Sequence, residues 1–381
     1  MSLWFSATAV TPALMASWEI GSGAAAWLTM AVQLGFVAGA VLSALFNLAD
    51  VWPPRAVFAL GAVAGAALNA AIPLFDTAFG PTVVLRFGTG MTLALVYPVG
   101  MKIMATWTRE DRGLGIGLLV GALTIGSASP HLVRAFGGIH DWERVLYVVS
   151  ALATIGGVLG WFSGSLGPFR ARVPPFRWRY MGRALSVRGL RLANFGYLGH
   201  MWELYAMWTW IPLFLTHVYG PSDRGATLAS VTAFAVIAVG GIGSLVAGHV
   251  ADRWGRSRTT ILSMVTSGGC ALAIGWLTSS TLAVTAVALL WGFAVVADSA
   301  QFSTSVSELA EPEYMGTMLT MQTAMGFLLT LGSIRLTPVL VDAVGWQWAF
   351  SALAIGPALG VWAMWRLLES PDAARLAGGR G

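Results

Sequence analysis

The residues best suited to chemistry lie in a segment whose other residues are mostly apolar or aromatic. Four of its side chains follow one another at intervals of three, four and three residues and so share one face of a helix: His200, Glu203, Met207 and Trp210. A carboxylic acid in apolar surroundings favours its protonated form, and it exchanges the proton when water reaches it. Glu203 is therefore the first candidate for a proton-coupling group, with His200 as its modulator. A structural hydrogen bond from Glu203 to a neighbouring helix is the alternative.

Three other ionisable residues interrupt apolar segments, where charges are costly and usually face a cavity. Asp298 is the second candidate acid, and its alternative role is in a gate near the end of its segment. Arg86 and Arg335 are candidate charge partners for Asp298 or Glu203, or candidate ligands for an anion. Because two acids and two cations balance, the charge of a bound molecule stays open.

Aromatic and amide side chains complete the candidate cavity. Tyr205 and Trp208 join Trp210 as rings on which a bound molecule could stack. Gln33 and Gln322 interrupt apolar segments in the two parts of the chain and are weaker candidates for polar contacts. The alternative for both amides is a hydrogen bond that only joins neighbouring helices.

Composition places these residues in a membrane protein. The 381-residue chain is 56% hydrophobic and 10% charged, and its mean hydropathy is +0.72. A soluble globule of this composition would expose too much apolar surface. The net charge of +5 does not indicate nucleic-acid binding, because the arginines lie in short loops between apolar segments. Cys270 is the single cysteine, so no disulfide framework or cysteine-based metal site is expected, and no cofactor.

The apolar segments predict membrane-spanning helices, each of which needs about 20 apolar residues. Eleven stretches near that length occur, at 24–48, 56–74, 79–105, 113–135, 146–162, 190–218, 226–250, 259–278, 282–302, 317–341 and 348–368. A twelfth, 3–18, would reach only about 24 Å against a hydrocarbon core of about 30 Å. Because no basic residue precedes it, we expect a start codon further upstream; a short helix in a thinned bilayer is the alternative.

Basic residues concentrate in alternate loops, which by the positive-inside rule face the cytosol. These loops hold Arg55, then Lys102, Arg109 and Arg112, then seven arginines between 170 and 191, then Arg253, Arg256 and Arg258. The opposite loops hold only Arg134, Arg144 and Arg224. One cytosolic loop is acidic, with Glu308, Glu311 and Glu313. Both termini are then cytosolic, in a multi-pass protein of the cytoplasmic membrane.

The longest loop divides the predicted spans into two sets of six. We expect an N-terminal half (1–162), a basic cytosolic linker (163–189), a C-terminal half (190–368) and a cytosolic tail (369–381). The arginines and aromatic residues of the linker could bind RNA, but contact with anionic lipid headgroups is the simpler interpretation.

A charged turn joins the second and third spans of the C-terminal half, with the sequence Gly248-His249-Val250-Ala251-Asp252-Arg253-Trp254-Gly255-Arg256-Ser257-Arg258. A degenerate copy at the same place in the N-terminal half keeps Asp50 and Arg55 but has Pro53-Pro54 where glycine is expected. Weaker echoes precede the last two spans of each half. Repeats in register indicate a duplicated membrane protein.

The turn closely resembles the signature loop of the major facilitator superfamily, whose form is Gly, two residues, Ala, Asp, Arg, one residue, Gly, Arg. Arg86-Phe87-Gly88-Thr89-Gly90 is similar to the family's arginine-then-glycine motif, without its usual glutamine. The resemblance implies twelve helices in two pseudo-symmetric six-helix halves around a midplane site. In the family such a loop latches the cytosolic side closed. The matching residues here are Gly248, Asp252, Arg253, Gly255 and Arg256, with Asp50 and Arg55 in the degenerate copy.

Small residues at intervals of four allow close packing of helices in lipid. One expected seam joins Gly113, Gly117 and Gly121 of the fifth span to Gly240, Ser244 and Gly248 of the eighth. The resemblance implies that these two spans face each other across the halves. The second and eleventh spans are expected to form the other seam, through Gly35, Gly39 and Ser43 on one side and Gly316, Thr320 and Ala324 on the other.

The leading hypothesis is a secondary active transporter that moves a small molecule by alternating access, coupled to protons. The sequence contains no Walker-type phosphate loop, so nothing in it indicates a primary pump. A transporter-fold sensor or a facilitator without proton coupling is the alternative. A membrane-embedded enzyme is less favoured, because His200 and Glu203 have no accompanying nucleophile or metal-ligand set. The expected partners are a small-molecule substrate, protons and membrane lipids, but no nucleic acid, for a monomeric protein.

The C-terminal turn keeps the fuller motif, so Asp252→Ala is expected to slow transport more than Asp50→Ala does. Uptake into proteoliposomes that hold equal amounts of each variant measures this difference. Equal effects would mean that Pro53-Pro54 does not weaken the N-terminal copy.

Overall fold

The computed structural model describes residues 1–46, 48–75, 79–107, 112–137, 140–169 and 176–381, apart from the side chains at 49, 50, 105, 112–114 and 116. The secondary structure of this part of the chain is helical, and it contains no β-strand. Arg109 and Arg170 lie outside the described residues. Asp50 and the seam residue Gly113 lie in described helices, but their side-chain surroundings are outside the described set.

Most of the described residues lie in helices. The α-helices are α1 Ser6–Ala9, α2 Thr11–Ser17, α3 Ser22–Leu45, α4 Leu48–Val51, α5 Pro54–Ala70, α6 Phe79–Leu93, α7 Tyr97–Trp107, α8 Arg112–Gly137, α9 Trp142–Ser163, α10 Arg183–Ser186, α11 Arg188–Tyr219, α12 Asp223–Trp254, α13 Arg256–Ala273, α14 Thr281–Ala297, α15 Ser299–Leu309, α16 Met315–Val344, α17 Trp346–Ala349 and α18 Ile355–Leu368. The 3-10 turns are Ser2–Trp4, Ile72–Phe75, Trp178–Tyr180, Ile274–Leu277, Phe350–Ala354 and Pro371–Arg375.

Nine helical segments within the described part are long and apolar enough to cross a membrane. They are Ser22–Leu45, Pro54–Phe75, Phe79–Met104, Trp142–Ser163, Asp223–Trp254, Arg256–Leu277, Thr281–Leu309, Met315–Val344 and Trp346–Leu368. The other three predicted spans correspond to residues 2–17, which fold as a 3-10 turn followed by α1 and α2, and to α8 and α11.

Two of these segments are interrupted at corresponding places, in the fourth predicted span of each half. The first interruption is at 94–96, between α6 and α7, where Val96 N–H bonds the carbonyl of Leu93 at 3.0 Å. The second is at Asp298, between α14 and α15, whose carbonyl accepts from Gln301 N–H at 2.9 Å. Paired interruptions at membrane depth are typical of transporter binding regions.

Glycines bring α3 and α6 into backbone contact. A Cβ atom at Gly35 would lie 1.9 Å from the carbonyl oxygen of Phe87, and one at Gly90 would lie 2.1 Å from that of Val32. Gly39 faces Met91 of α6 in the same way. The structure thus turns Gly35 and Gly39 towards α6, although α3 also packs against α16 as the sequence predicts.

The same kind of crossing joins α12 and α14. A Cβ atom at Gly292 would lie 1.9 Å from the carbonyl oxygen of Val236, and one at Gly243 would lie 2.2 Å from that of Phe293. Gly240 also faces α14, at Val296, and not α8. Because α3 and α6 are the second and fourth spans of one predicted half and α12 and α14 those of the other, the two crossings repeat.

Helices α8 and α12 form the most extensive contact across the predicted division of the chain, within its described part. Gly121 faces Gly241, since a Cβ atom on Gly121 would lie 3.8 Å from the Cα of Gly241, and Gly117 faces Leu245. Ser244 is buried on α12, and its hydroxyl has no hydrogen-bond partner among the described residues. Spans five and eight therefore pack together through small residues, as expected in lipid.

The described part of the linker contacts the start of α16. Arg177 N–H donates to Thr317 Oγ1 at 3.1 Å, and Arg179 Nη2 lies 3.2 Å from Glu313 Oε1. The Tyr180 hydroxyl donates to the same carboxylate. This hydrogen bond and the neighbouring Arg179 hold the pKa of Glu313 below its usual value. Two of the acids in the one acidic loop that the sequence predicts to be cytosolic, Glu311 and Glu313, thus face linker arginines.

The α12–α14 crossing predicts the effect of one added methyl group. Gly292→Ala places that methyl against the Val236 carbonyl and is expected to cost about 1–3 kcal/mol of stability, because backbone atoms cannot yield as a flexible side chain does. Gly269→Ala is the matched control, since nothing lies within 4 Å of its Cβ position. Thermal unfolding in detergent should show a lower Tm for Gly292→Ala alone. Equal Tm values would contradict the crossing.

Candidate functional site

Six aromatic side chains meet where the first, second, seventh and eleventh predicted spans come together. We call them the aromatic cluster; they are Trp4, Phe5, Phe36, Tyr205, Trp208 and Phe327, and all are buried. The Trp4 ring lies 4.8 Å from that of Phe36 and 5.2 Å from that of Phe327, between ring centroids. The cluster therefore joins the two predicted halves of the chain.

The rings of the aromatic cluster contact one another directly. Phe36 and Phe327 lie 4.7 Å apart, and Phe5 lies 5.5 Å from Trp208, between centroids. Tyr205 contacts rings on both sides, at 5.7 Å from Trp4 and 5.0 Å from Phe327. A molecule that enters between the halves must separate these rings, and it would meet aromatic faces when it does.

Polar atoms around the aromatic cluster lack partners. The indole nitrogens of Trp4 and Trp208 and both amide atoms of Gln33 are buried without a hydrogen bond to any described residue. Gln33 lies one helical turn before Phe36 on α3, so its amide is beside the cluster. Buried polar groups are normally satisfied, and a few convergent ones in an apolar site typically bind a ligand.

Glu203 points in a different direction. The hydroxyl of Ser267 on α13 donates to its Oε2 at 2.7 Å, and the indole of Trp291 on α14 donates to its Oε1 at 2.7 Å. Glu203 is 1% exposed. Its carboxyl group is thus enclosed by helices of the C-terminal part of the chain, on the side away from the aromatic cluster.

His200 and Asp298 form a second buried pair next to Glu203. His200 Nδ1 lies 2.8 Å from Asp298 Oδ1, and His200 Nε2 lies 2.9 Å from the hydroxyl of Ser299. Both side chains are 2% exposed. Because Asp298 is at the interruption between α14 and α15, the pair ties α11 to the point where the tenth span is broken.

The structure divides the sequence-predicted cavity residues between two regions. Trp210 lies with Glu203 on the enclosed side of α11, and its indole donates to the carbonyl of Ile334 at 2.9 Å. Met207 is fully buried on the same face. Tyr205 and Trp208 lie in the aromatic cluster instead. Gln322 donates to Asn194 Oδ1 at 3.2 Å and retains an unpartnered oxygen among the described residues.

The two candidate cations do not pair with the acids. Arg86 is fully buried and donates to neutral oxygens that include the carbonyls of Leu28 at 3.0 Å and Leu3 at 2.8 Å. It also reaches the hydroxyl of Ser6 and the amide oxygen of Asn69. It therefore anchors the first span. Arg335 is exposed and lies beside Gly23.

The charged turn after α12 is organised by Arg256. Its guanidinium donates to Glu308 through two nitrogens, at 2.8 Å and 2.7 Å, and to Gln301 Oε1 at 2.9 Å. Asp252 is a longer contact, at 3.4 Å, and its side chain is 53% exposed against 25% for Glu308. Two-point contact with a shielded carboxylate is the stronger interaction, so Glu308 is the main partner of Arg256.

The other turn residues have different surroundings. Gly255 adopts φ +106, which favours glycine, and so lets α13 begin directly after α12. Arg253 is exposed, Gly248 lies within α12, and Arg55 on α5 lies 5.7 Å from the ring of Trp161. The C-terminal tail covers the turn, since Arg380 donates to the Asp252 carbonyl at 2.8 Å. We call Arg256, Glu308, Gln301 and Asp252 the turn cluster.

Comparison with known proteins identifies the fold. The family model described as Major Facilitator Superfamily matches residues 1–334. The chain belongs to the Major Facilitator Superfamily. Two solved structures resemble it: a bacterial homolog of the human lysosomal transporter Spinster, in an inward-facing and unoccupied conformation, at 13% identity, and the nucleoside transporter NupG at 16%. Both have a TM-score of 0.72 and cover 97% of this chain and 96% of their own, and at these identities they show the fold alone. Among curated proteins, sequence comparison finds no relative.

Membership of the Major Facilitator Superfamily confirms the predicted all-helical membrane fold of this superfamily, with nine of the twelve predicted spans meeting the length and hydropathy of a membrane helix among the described residues. It makes this protein a multi-pass membrane transporter of a small molecule. The sequence prediction missed four members of the aromatic cluster, Trp4, Phe5, Phe36 and Phe327. Aromatic residues are common in spans, and only the one-turn spacing from Gln33 to Phe36 was a usable signal. Glu308 stood out in the sequence only as an exception to the charge rule for loops.

The geometry of the turn cluster predicts that Glu308→Gln slows this superfamily transporter more than Asp252→Asn does. The first change removes the two charge-assisted bonds of Arg256, worth roughly 1.5–3 kcal/mol, whereas the second removes only a long, exposed contact. Initial uptake rates in proteoliposomes measure both. Glu311→Gln, whose nearest arginine contact is 3.9 Å and exposed, is the control. A lower uptake rate in Asp252→Asn than in Glu308→Gln would contradict the assignment of Glu308 as the main partner of Arg256.

Proposed function

We propose that this protein is a secondary active transporter of the cytoplasmic membrane that works as a monomer, with both termini cytosolic. In this proposal the halves 1–162 and 190–368, joined by the linker 163–189, rock around a small molecule bound at the aromatic cluster. Proton movement through the Glu203, His200 and Asp298 region drives the cycle. The observation that carries the proposal is that three titratable groups lie buried together at an interrupted helix.

The aromatic cluster supports a substrate site between the halves. Its rings come from both halves, so their separation and contact follow any relative movement of the halves. Trp4 and Trp208 offer unpartnered donors, and Gln33 offers both a donor and an acceptor. Such a set suits a small, flat or partly aromatic molecule with a few polar groups.

Charge balance supports proton coupling. Two acids and one imidazole share this interior, and no arginine or lysine of the described residues contacts either acid. Among the described residues, Asp298 has the His200 imidazole beside it, whereas Glu203 has only the neutral donors Ser267 and Trp291, so we propose that Glu203 carries the coupling proton. Release of that proton would leave a buried negative charge, so it requires access to water. Movement at the Asp298 interruption provides a way to change that access.

The turn cluster supports a gate. Arg256 joins the turn after α12 to α15, which begins at the Asp298 interruption. In the proposed cycle the contact holds the cytosolic ends of α12, α13 and α15 together, and it links the gate to the helix that carries Asp298. Opening to the cytosol then requires loss or rearrangement of the Arg256–Glu308 contact.

The test uses purified protein in proteoliposomes that enclose a pH-sensitive dye. A panel of nucleosides, sugars, amines and small organic acids is first screened for transport. With a transported compound, Glu203→Gln and Asp298→Asn are each expected to lower substrate-driven proton flux at least about tenfold, because neither amide can release a proton. Exchange of labelled for unlabelled compound should continue, since it needs no net proton release.

Two comparisons make the result decisive. Asp342→Asn changes an exposed acid on α16 and is expected to leave proton flux unchanged. Normal proton flux in both Glu203→Gln and Asp298→Asn would reject these residues as the coupling groups. If the unaltered protein takes up the compound without any proton flux, the result would instead support a facilitator without proton coupling.

A further inference from the structure

Two buried basic residues of α8 have no part in the proposed cycle. His131 is 0% exposed and Arg134 is 4% exposed. The distribution of charged residues predicts that Arg134 lies in a loop outside the membrane core, and His131 is three residues before it. In the structure both lie in the last two turns of α8 and are enclosed by protein.

The nitrogens of these two residues are largely unpartnered. Neither ring nitrogen of His131 has a hydrogen bond, and Nε of Arg134 has none either, within the described part of the chain. Arg134 donates from Nη1 to the hydroxyl of Ser230 at 3.2 Å. Arg86, another buried arginine, donates to several oxygen acceptors, whereas Arg134 has one hydrogen-bond acceptor among the described residues.

The location joins two helices that move relative to each other in the proposed cycle. Arg134 is on α8 and Ser230 is on α12, and His131 is on the face of α8 that carries Thr124. Thr124 approaches Gly241 of α12, which places this face at the α8–α12 contact.

Among the residues that the structure describes, no acidic side chain pairs with His131 or Arg134. Close to this end of α12, Asp223 is engaged by His140, with 3.0 Å between Nε2 and Oδ1, and both are well exposed. Met1 also reaches α8, opposite Gly126, but it brings no acidic side chain. A buried guanidinium without a carboxylate is costly, and its cost falls when an anion binds.

We propose that His131, Arg134 and Ser230 form a binding site, separate from the aromatic cluster, for a substrate of the small-carboxylate class. The guanidinium is a planar fork that matches a carboxylate, and its Nε–H has no partner among the described residues. His131 supplies a second donor. The Ser230 hydroxyl donates to the Ala226 carbonyl at 2.9 Å, and it supplies a third donor when it turns from that carbonyl towards the anion. The proposal rests on the transporter function proposed above and adds the chemical class of its substrate.

The site also has a mechanical consequence. An anion held by Arg134 on α8 and by Ser230 on α12 bridges the two helices. Binding therefore favours the arrangement in which this end of the α8–α12 seam is closed. A neutral analogue of the same shape lacks the charge that compensates Arg134 and does not have this effect.

The test measures binding and does not depend on transport. Purified protein in detergent is titrated with benzoate and with acetate at fixed ionic strength, and benzamide and acetamide serve as neutral probes. The carboxylates are expected to raise Tm with increasing concentration, because a ligand that binds only the folded state stabilises it. Arg134→Gln should weaken benzoate binding about tenfold or more, and His131→Asn should weaken it severalfold.

Matched variants separate a binding role from a structural one. Arg224→Gln changes an exposed arginine near the same end of α12 and should bind benzoate normally. Arg134→Lys keeps the charge without the fork and should retain part of the affinity. If Arg134→Gln does not fold, His131→Asn and Ser230→Ala supply the comparison. A benzoate-dependent rise in Tm that is the same in all variants, or no rise in the unaltered protein, would overturn the site.

The two proposals can fail separately. Normal benzoate binding in Arg134→Gln together with lost proton flux in Glu203→Gln would reject the anion site and leave the transporter proposal intact. Lost benzoate binding in Arg134→Gln together with normal proton flux in both Glu203→Gln and Asp298→Asn would support the anion site and reject the coupling residues.

Discussion

A polar group inside hydrocarbon has no water to bind, so the protein must supply its partners, and the rest of this structure depends on that constraint. Glu203 receives two side-chain donors, Asp298 lies against His200, and Arg86 donates to a ring of neutral oxygens. These contacts tie neighbouring helices together, and the contact of His200 with Asp298 does so where the tenth predicted span is interrupted. Gln33, His131 and Arg134 instead have polar atoms without a hydrogen-bond partner among the described residues, and we propose that these atoms bind a ligand.

The surrounding lipid also determines how the helices pack against one another. Lipid offers helices no hydrophobic reason to associate, so they meet where glycine permits close backbone contact. Gly35 and Gly90 do this between α3 and α6, and Gly243 and Gly292 do it between α12 and α14. The glycines between α8 and α12 approach the facing backbone less closely, since a Cβ atom at Gly241 would lie 3.0 Å from the Cα of Gly121. This looser approach suits the surface along which we propose that the halves move.

Much of the fold was predictable because a span has a strong local signature. Length and hydropathy predicted the helices, and the turn around Asp252 carried the resemblance to the superfamily. The candidate site was less accessible to sequence reasoning. Regular spacing put His200, Glu203, Met207 and Trp210 on one face, as helix geometry requires, but it could not tell whether that face meets a cavity or a neighbouring helix. The structure directs it towards α13, α14 and α16.

By itself the sequence determined the membrane class, the positions of the spans and the family, because these depend on composition and on short motifs. Only the tertiary structure decided which residues meet: Trp4 and Phe36 with Tyr205 and Phe327, Arg256 with Glu308, and Arg134 with Ser230. The physical reason is that a helix has one axis but many possible rotations about it. Periodicity shows which side chains share a face, whereas the packing of neighbouring helices determines what that face touches.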